Sequence, residues 1–352
     1  MHALCSVFFP PLKKGANGEG EIFIEKDGKA SNALPFRVRS GDIFHVKSDG
    51  DDQNGDGSFD SPWASVDKAD ASAGAGSTIY VHDVVSGGKG EFRPIYWNNR
   101  DAASTLEAQF SIISFPGTRA SAIGQRGISS YKTSGMVISK YLVQSSDCDD
   151  ENGQPVNCVR GPRGKVTMGI EASAFGRAVG NTITDEEGRC ADAQQGAISG
   201  NQLSDDRVSG YKIYGNEIYD YGCVGTSKFH HTTYLSLRDQ DDRVFDAWEF
   251  AWNYLHGNKT KNGIHNYDED LQKNSKCGDV KGVLKIHDNV IIDQAGAGIT
   301  IISQCGWTND TQIYGNVLVN VGLASQWDGV DVATSIAPST AAISMGGSEY
   351  YG

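Results

Sequence analysis

The sequence predicts an all-β protein whose larger part is a right-handed parallel β-helix, a solenoid of stacked coils. Five segments carry a first repeat: RAVGNTITD (177–185), KIYGNEIYD (212–220), EFAWNYLHG (249–257), KIHDNVIID (285–293) and QIYGNVLVN (312–320). Their shared asparagines are Asn181, Asn216, Asn253, Asn289 and Asn316, spaced 35, 37, 36 and 27 residues apart. Spacings of roughly 20–50 residues mark solenoids and propellers. A second repeat lies between them: HTTYLSLRD (231–239), NGIHNYDED (262–270), AGITIISQ (297–304) and TAAISMGG (340–347). Its members alternate apolar and polar residues, as half-buried strands do. Composition agrees: 43 glycines in 352 residues and 38% hydrophobic residues suit many turns and thin apolar segments.

Three regions follow in order. In residues 1–40, GEIFIEKDGKASNALPFRVRSG alternates around a KDGK turn and reads as a β-hairpin. Residues 41–106 form a lead-in and N-terminal cap, in which a polar Gly/Asp loop precedes SPWASVDKA, a short capping helix with Ser61 as its N-cap. The stretch GSTIYV then reads as a strand. From 107 to 352 the coils stack, about three short strands to a turn, at about 4.8 Å per coil. Each first-repeat segment is a strand pair around a bend; Asn tolerates the left-handed geometry expected there, and its amide stacks on the next Asn. A propeller would need four strands per unit and blade signatures that the sequence lacks.

The net charge of −13 repels nucleic-acid phosphate and anionic lipid, which excludes both as main partners. No apolar run is long enough to span a membrane. MHALCSVFFPPLKKG lacks the pattern of a signal peptide, so the chain reads as a fragment, with further domains at both ends. Seven cysteines without a CxxC suggest an oxidising compartment rather than a zinc site. The expected pairs are Cys148 with Cys158, Cys190 with Cys223, and Cys277 with Cys305, leaving Cys5 over.

The candidate chemistry sits on the second repeat. With Thr233, Ile264, Ile299 and Ile343 facing inward, Tyr234, His265, Thr300 and Ser344 face outward in one column. Ser236, Tyr267, Ile302 and Gly346 form the next. Arg238, Asp239, Asp268 and Glu269 lie at the strand ends, and TSKFHH adds Lys228, His230 and His231. A polysaccharide lyase would use Arg238 or Lys228 to neutralise a uronate, His231 or His265 as base, and Tyr234 or Tyr267 as acid. A glycoside hydrolase would draw two carboxylates from Asp239, Asp268 and Glu269. The bland alternative is a solvated strand face.

Two further stretches carry expectations. In DDQNGDGSFD (51–60), Asp52, Asn54, Asp56, Ser58 and Asp60 alternate as in the first nine positions of an EF-hand-type Ca2+ loop, but Trp63 stands where a bidentate acid belongs. Trp97, Trp248, Trp252, Trp307 and Trp327 offer either sugar-stacking faces or core packing. WNYLHGN (252–258) is expected to be scaffold, with Asn253 a rung and Leu255 core.

PGTRASA, MVISKYLV, IYGNEIYDYG, WNYLHGN, GIHNYDED and IHDNVIID together resemble bacterial extracellular right-handed parallel β-helix proteins of the pectate-lyase-like superfamily. GKASNALPFRV resembles the end of an immunoglobulin-like TIG domain, which makes residues 1–40 a partial domain of that kind. The resemblance implies a secreted or cell-surface protein acting on a polysaccharide or surface glycan, by β-elimination or hydrolysis. A non-catalytic adhesion or glycan-binding module is the alternative, since this fold hosts both.

Overall fold

A computed structural model of the chain describes residues 6–7, 18–38, 41–83, 95–98, 108–123, 127–131, 133, 135–145, 168–171, 175–185, 196–201, 210–222, 230–237, 244–268, 281–303, 310–322 and 341–346. Within them, three parallel sheets of nine, seven and eight strands run side by side. The chain visits the sheets in turn. One coil runs Lys212–Tyr214, Glu217–Tyr219 and His231–Leu237; the next runs Val244–Ala251, Tyr254–His256 and Asn262–Asp268. Every pairing between coils is parallel, and the solenoid winds to the right.

The core is built of columns that repeat from coil to coil. On the first sheet Ile138, Ala178, Ile213, Phe250 and Ile286 stack in register and are buried. Val143, Ile183, Ile218, Leu255 and Ile291 do the same on the second. Burying each large aliphatic side chain contributes about 1.5–3 kcal/mol. On the third sheet Thr233, Ile264 and Ile299 point inward as the alternation requires. Ile343, expected to join them, is exposed: it lies on the last described strand of that sheet, which pairs on one side only.

The five asparagines form one continuous ladder at the bend between the first and second sheets. Asn181 Nδ2 donates to Asn216 Oδ1 at 3.0 Å, and the links Asn216–Asn253, Asn253–Asn289 and Asn289–Asn316 are each 2.9 Å. Each amide also donates to a carbonyl of the preceding coil, such as Asn253 Nδ2 to Ile213 O at 2.8 Å. The left-handed residue is not the asparagine, as expected from its tolerance, but the residue before it. Gly180, Gly215, Trp252, Asp288 and Gly315 have φ of 64°, 60°, 59°, 52° and 65°. That frees the asparagine to turn inward, where its amide replaces the ladder bonds that the bend breaks.

The N-terminal helix, α1 (Val66–Ser72), is capped by Ser65, whose hydroxyl accepts from Lys68 N, and not by Ser61. The displacement has a cause. Trp63 N donates to His45 O and Lys47 N donates to Trp63 O, so Trp63 is held in a β-bridge to Val46 and the helix starts after it. Val66 and Ala69 of α1 are buried against the first coils. In the N-terminal region Ile24–Lys26 and Lys29–Ala30 form the expected hairpin, with Asp27 and Gly28 at φ 51° and 73°, as a type I′ turn demands. Gly18–Ile22 pairs antiparallel with Leu34–Val38. The expected disulfides find no support: no disulfide is found among the described residues, and all seven cysteines lie outside them.

Candidate functional site

The second repeat forms the third sheet in the expected register. Tyr234 pairs with His265, His265 with Thr300, and Thr300 with Ser344. Ser236 faces Tyr267 in the adjoining column. Four predicted site residues come together as a stack of rings. His231 and His265 lie 4.0 Å apart at 21°, Tyr234 lies 5.4 Å from His231 and 5.3 Å from His265, and Tyr267 is 6.1 Å from His265.

The face is not the open surface that the pattern suggested. His265 shares the outward parity of Tyr234, yet it and the His231 ring stacked on it are 4% and 3% exposed. Burial therefore sets their charge. Loss of solvent pushes His265 down to about 3, with Lys261 adding to the effect, and pushes His231 well below its ordinary value, with His265 and Lys261 adding to the effect. Asn262 Nδ2 lies 3.1 Å from His231 Nδ1 and 3.4 Å from His265 Nδ1. An amide N–H₂ between two neutral rings makes both Nδ1 atoms acceptors, which leaves the proton of each ring on Nε2. Two buried polar atoms beside the rings, Asn262 Oδ1 and Thr300 Oγ1, have no hydrogen-bond partner among the described residues. Such atoms cost about 1–3 kcal/mol each when left unpaired.

Asp268 ends the strand Asn262–Asp268. Lys228, Arg238, Asp239 and Glu269 lie outside the described residues. In the predicted calcium loop, Asp52 turns toward the helix: its Oδ1 accepts from Ala64 N and Ser65 N at 2.8 and 3.0 Å, and its Oδ2 from the Ser65 hydroxyl at 2.6 Å. Asp56 accepts from Ser58 N at 2.9 Å, and Asp51 holds both the amide and the side chain of Asn54. Among the described residues no group of three or more His, Cys, Asp or Glu is placed to share a metal ion.

A second cluster, which the sequence reading missed, lies on the outward face of the first sheet. Lys212 and Glu249 are paired residues of adjacent strands, and Tyr214, Ala251, His287 and Tyr314 form the neighbouring column. Glu249 Oε2 accepts from Lys212 Nζ at 2.5 Å and from the Tyr214 hydroxyl, while Oε1 accepts from His287 Nε2 at 2.9 Å. His287 Nδ1 donates to Asp288 Oδ2 at 2.8 Å. Burial alone would raise Glu249, but the three donors outweigh it and hold the carboxyl at about 2. For His287 burial alone would lower the value, and the two carboxylates outweigh it and raise it. Trp252, 58% exposed, stands edge-on to both Tyr214 and His287, and the Tyr314 ring stacks on His287 at 4.7 Å and 3°. The missed signal was positional: Trp252 occupies the left-handed site where three of its four counterparts are Gly, Gly and Gly.

Of the other tryptophans weighed as sugar platforms, Trp97 and Trp248 are core, and Trp307 and Trp327 lie outside the described residues. No helix among the described residues is long and apolar enough to cross a membrane.

A parallel solenoid carrying two ring-rich faces is thus the class that fold and site define. No protein-family model matches the chain, and no curated protein matches it. Three solved structures are similar in fold. The GH136 lacto-N-biosidase from Eubacterium ramulus shares 10% identity at a TM-score of 0.43, over 79% of this chain and 57% of that one. XylC in complex with xylose shares 10% at 0.39, over 78% and 69%, and a rhamnogalacturonan lyase 12% at 0.40, over 75% and 73%. The chain therefore spans little more than half the length of the first. Overlaps this loose transfer no residue role, so the roles rest on the side chains themselves.

Proposed function

We propose that the protein is a secreted or cell-surface carbohydrate-active protein that cleaves a polysaccharide by β-elimination on the third-sheet face. The observation that supports this reading is the ring stack, in which Asn262 bridges His231 and His265 beside the phenols of Tyr234 and Tyr267. β-Elimination needs donors that hold a uronate carboxylate and groups that move a proton off the sugar and onto the leaving oxygen. The two Nε2–H groups supply donors that burial keeps neutral and fixed in tautomer. Tyr234 and Tyr267 are assigned the proton transfer: one, entering as the phenolate, takes the proton off the sugar while the other, as the phenol, donates its proton to the leaving oxygen, so that the pair exchanges roles at each turnover. Lys228 and Arg238, from segments flanking the strand His231–Leu237, are assigned charge neutralisation. Hydrolysis is the weaker reading, because the described side chains of this face include no carboxylate pair; its candidates remain Asp239, Asp268 and Glu269.

The low exposure of His231 and His265 favours the second reading, a non-catalytic glycan-binding module on the same coils. A screen on alginate, polygalacturonate and neutral glycans decides between them, read by ultraviolet absorbance of unsaturated product and by reducing ends. The expected result is unsaturated product from a polyuronate. Binding without product on any glycan sinks the cleavage reading. His265→Ala is expected to lower kcat about 100-fold, and His265→Gln, which keeps an N–H near the place of Nε2, to stay within about tenfold of the native rate. If His265→Gln falls as far as His265→Ala, the imidazole acts as a base and not as a donor.

A further inference from the structure

The first-sheet cluster is unexplained by cleavage on the third sheet. Its centre, Trp252, holds φ of 59°, a conformation that costs a bulky residue about 1 kcal/mol or more. The equivalent positions Gly180, Gly215 and Gly315 avoid that cost. A large aromatic side chain that is 58% exposed gains little from core burial, so packing does not account for its presence.

The surroundings explain where the indole goes. Tyr214, Ala251, His287 and Tyr314 occupy one outward column on four successive coils. The methyl group of Ala251 leaves a gap in that column. Trp252 reaches back from the bend to ring-contact distance of both neighbours of the gap, 5.4 Å from Tyr214 and 5.3 Å from His287. The result is a continuous row of rings from Tyr214 to Tyr314, about 14 Å long at the coil spacing. Several charges beside the row are paired: Lys212 is bound to Glu249, and His287 bridges Glu249 and Asp288. Lys285 and Gln312 continue the polar column next to the rings.

Flat aromatic faces flanked by fixed hydrogen-bonding groups match a sugar ring, which presents apolar C–H faces and polar hydroxyl edges. We propose that the row Tyr214–Trp252–His287–Tyr314 is a glycan-binding site, which takes the uncharged sugar rings of a polysaccharide along the solenoid axis. It lies on a different sheet from the His231–His265 stack, and it stands whether or not that stack cleaves anything.

The test is titration calorimetry of the full chain with cello-, xylo-, manno- and galacto-oligosaccharides, with oligogalacturonate as the acidic arm. Trp252→Ala is expected to weaken binding of a neutral oligosaccharide by about tenfold or more, and Trp252→Phe to keep most of it. Trp252→Gly separates function from folding: it removes the ring and relieves the left-handed strain, so Tm is expected to hold or rise while binding is lost. Three results overturn the proposal. One is that no neutral oligosaccharide binds the native chain. Another is unchanged binding by Trp252→Gly. The last is that Trp252→Gly alters only self-association in sedimentation velocity, which would make the row a contact between copies of the chain.

Discussion

His265 on the third sheet and His287 on the first both expose little surface, yet their affinities for a proton shift in opposite directions. Each lies flat against another ring: His265 on His231 at 4.0 Å, and His287 on Tyr314 at 4.7 Å. The difference lies in what meets the ring nitrogens. His265 Nδ1 meets the Asn262 amide, and desolvation, with Lys261 adding to it, keeps the ring neutral. His287 meets Asp288 at Nδ1 and Glu249 at Nε2, and two carboxylates overcome a desolvation that is milder than that of His265. Burial sets the stakes of protonation; the hydrogen-bond partner decides the sign.

The largest expected effect comes from the support beneath only one of these regions. The asparagine ladder runs along the bend that carries Trp252. Asn253→Ala removes donors to Asn289 Oδ1 and Ile213 O, and strips Asn216 N and Nδ2 of their acceptor. Leaving those groups buried and unpaired is expected to cost about 2–4 kcal/mol in urea melts. The imidazole NMR signals of His287 should move with the bend, while those of His231 and His265 hold. Equal movement of all three would mean that the two faces are not independent.

The ladder also shows what the sequence made legible. A solenoid repeats its backbone problem every coil, so the solution, an inward Asn after a left-handed residue, is written five times. The inward columns through Ile264 and Leu255 repeat in the same way and were placed correctly. What repeats is scaffold, and WNYLHGN was read as scaffold for that reason. Asn253 and Leu255 are buried as scaffold requires, whereas Trp252 is an exposed indole at a left-handed site that three of its four counterparts fill with glycine. On the third sheet the alternation gave the register of Tyr234, His265 and Tyr267 but not their burial, because period 2 tells which way a side chain points and not what lies over it. The Glu249 cluster was illegible for a further reason: Lys212, Glu249 and His287 sit on three coils, tens of residues apart, and meet only through the stacking.

Next in size are the pH effects, which have opposite signs. His265 is held at about 3 when folded, against about 6.5 unfolded, and His230 and His231 shift the same way. Between those values the unfolded chain binds more protons. Stability therefore falls as pH drops from about 6.5 toward 3, and this contribution is flat above that window. His265→Gln should reduce the acid slope by about one proton, or about 1.4 kcal/mol per pH unit. His287 is raised, so its contribution is complete below about 6.5 and is lost as pH rises through its folded value. His287→Gln should remove that alkaline loss and leave the acid slope intact. Urea melts across pH check both, and a shared acid slope would contradict the contrast.

The smallest effect sharpens the same point with one residue pair on the other side of the bend. His256 and Glu217 face each other on the second sheet at 3.2 Å, with ring stacking from Tyr254 at 4.2 Å, much as His287 and Glu249 do on the first. The second-sheet pair is far more open, with side chains 28% and 44% exposed against 7% and 17%. Water already reaches both side chains, so Glu217→Gln should change stability by no more than about 0.5 kcal/mol. Glu249→Gln leaves Lys212 and His287 with a neutral partner in a half-buried site and should cost about 1–2 kcal/mol. If the two substitutions cost the same, the first-sheet cluster is only a surface ion pair. A gap of the expected size means that the chain holds Glu249 and His287 in a fixed, partly desolvated frame, which keeps the rings of Trp252 and Tyr314 in place.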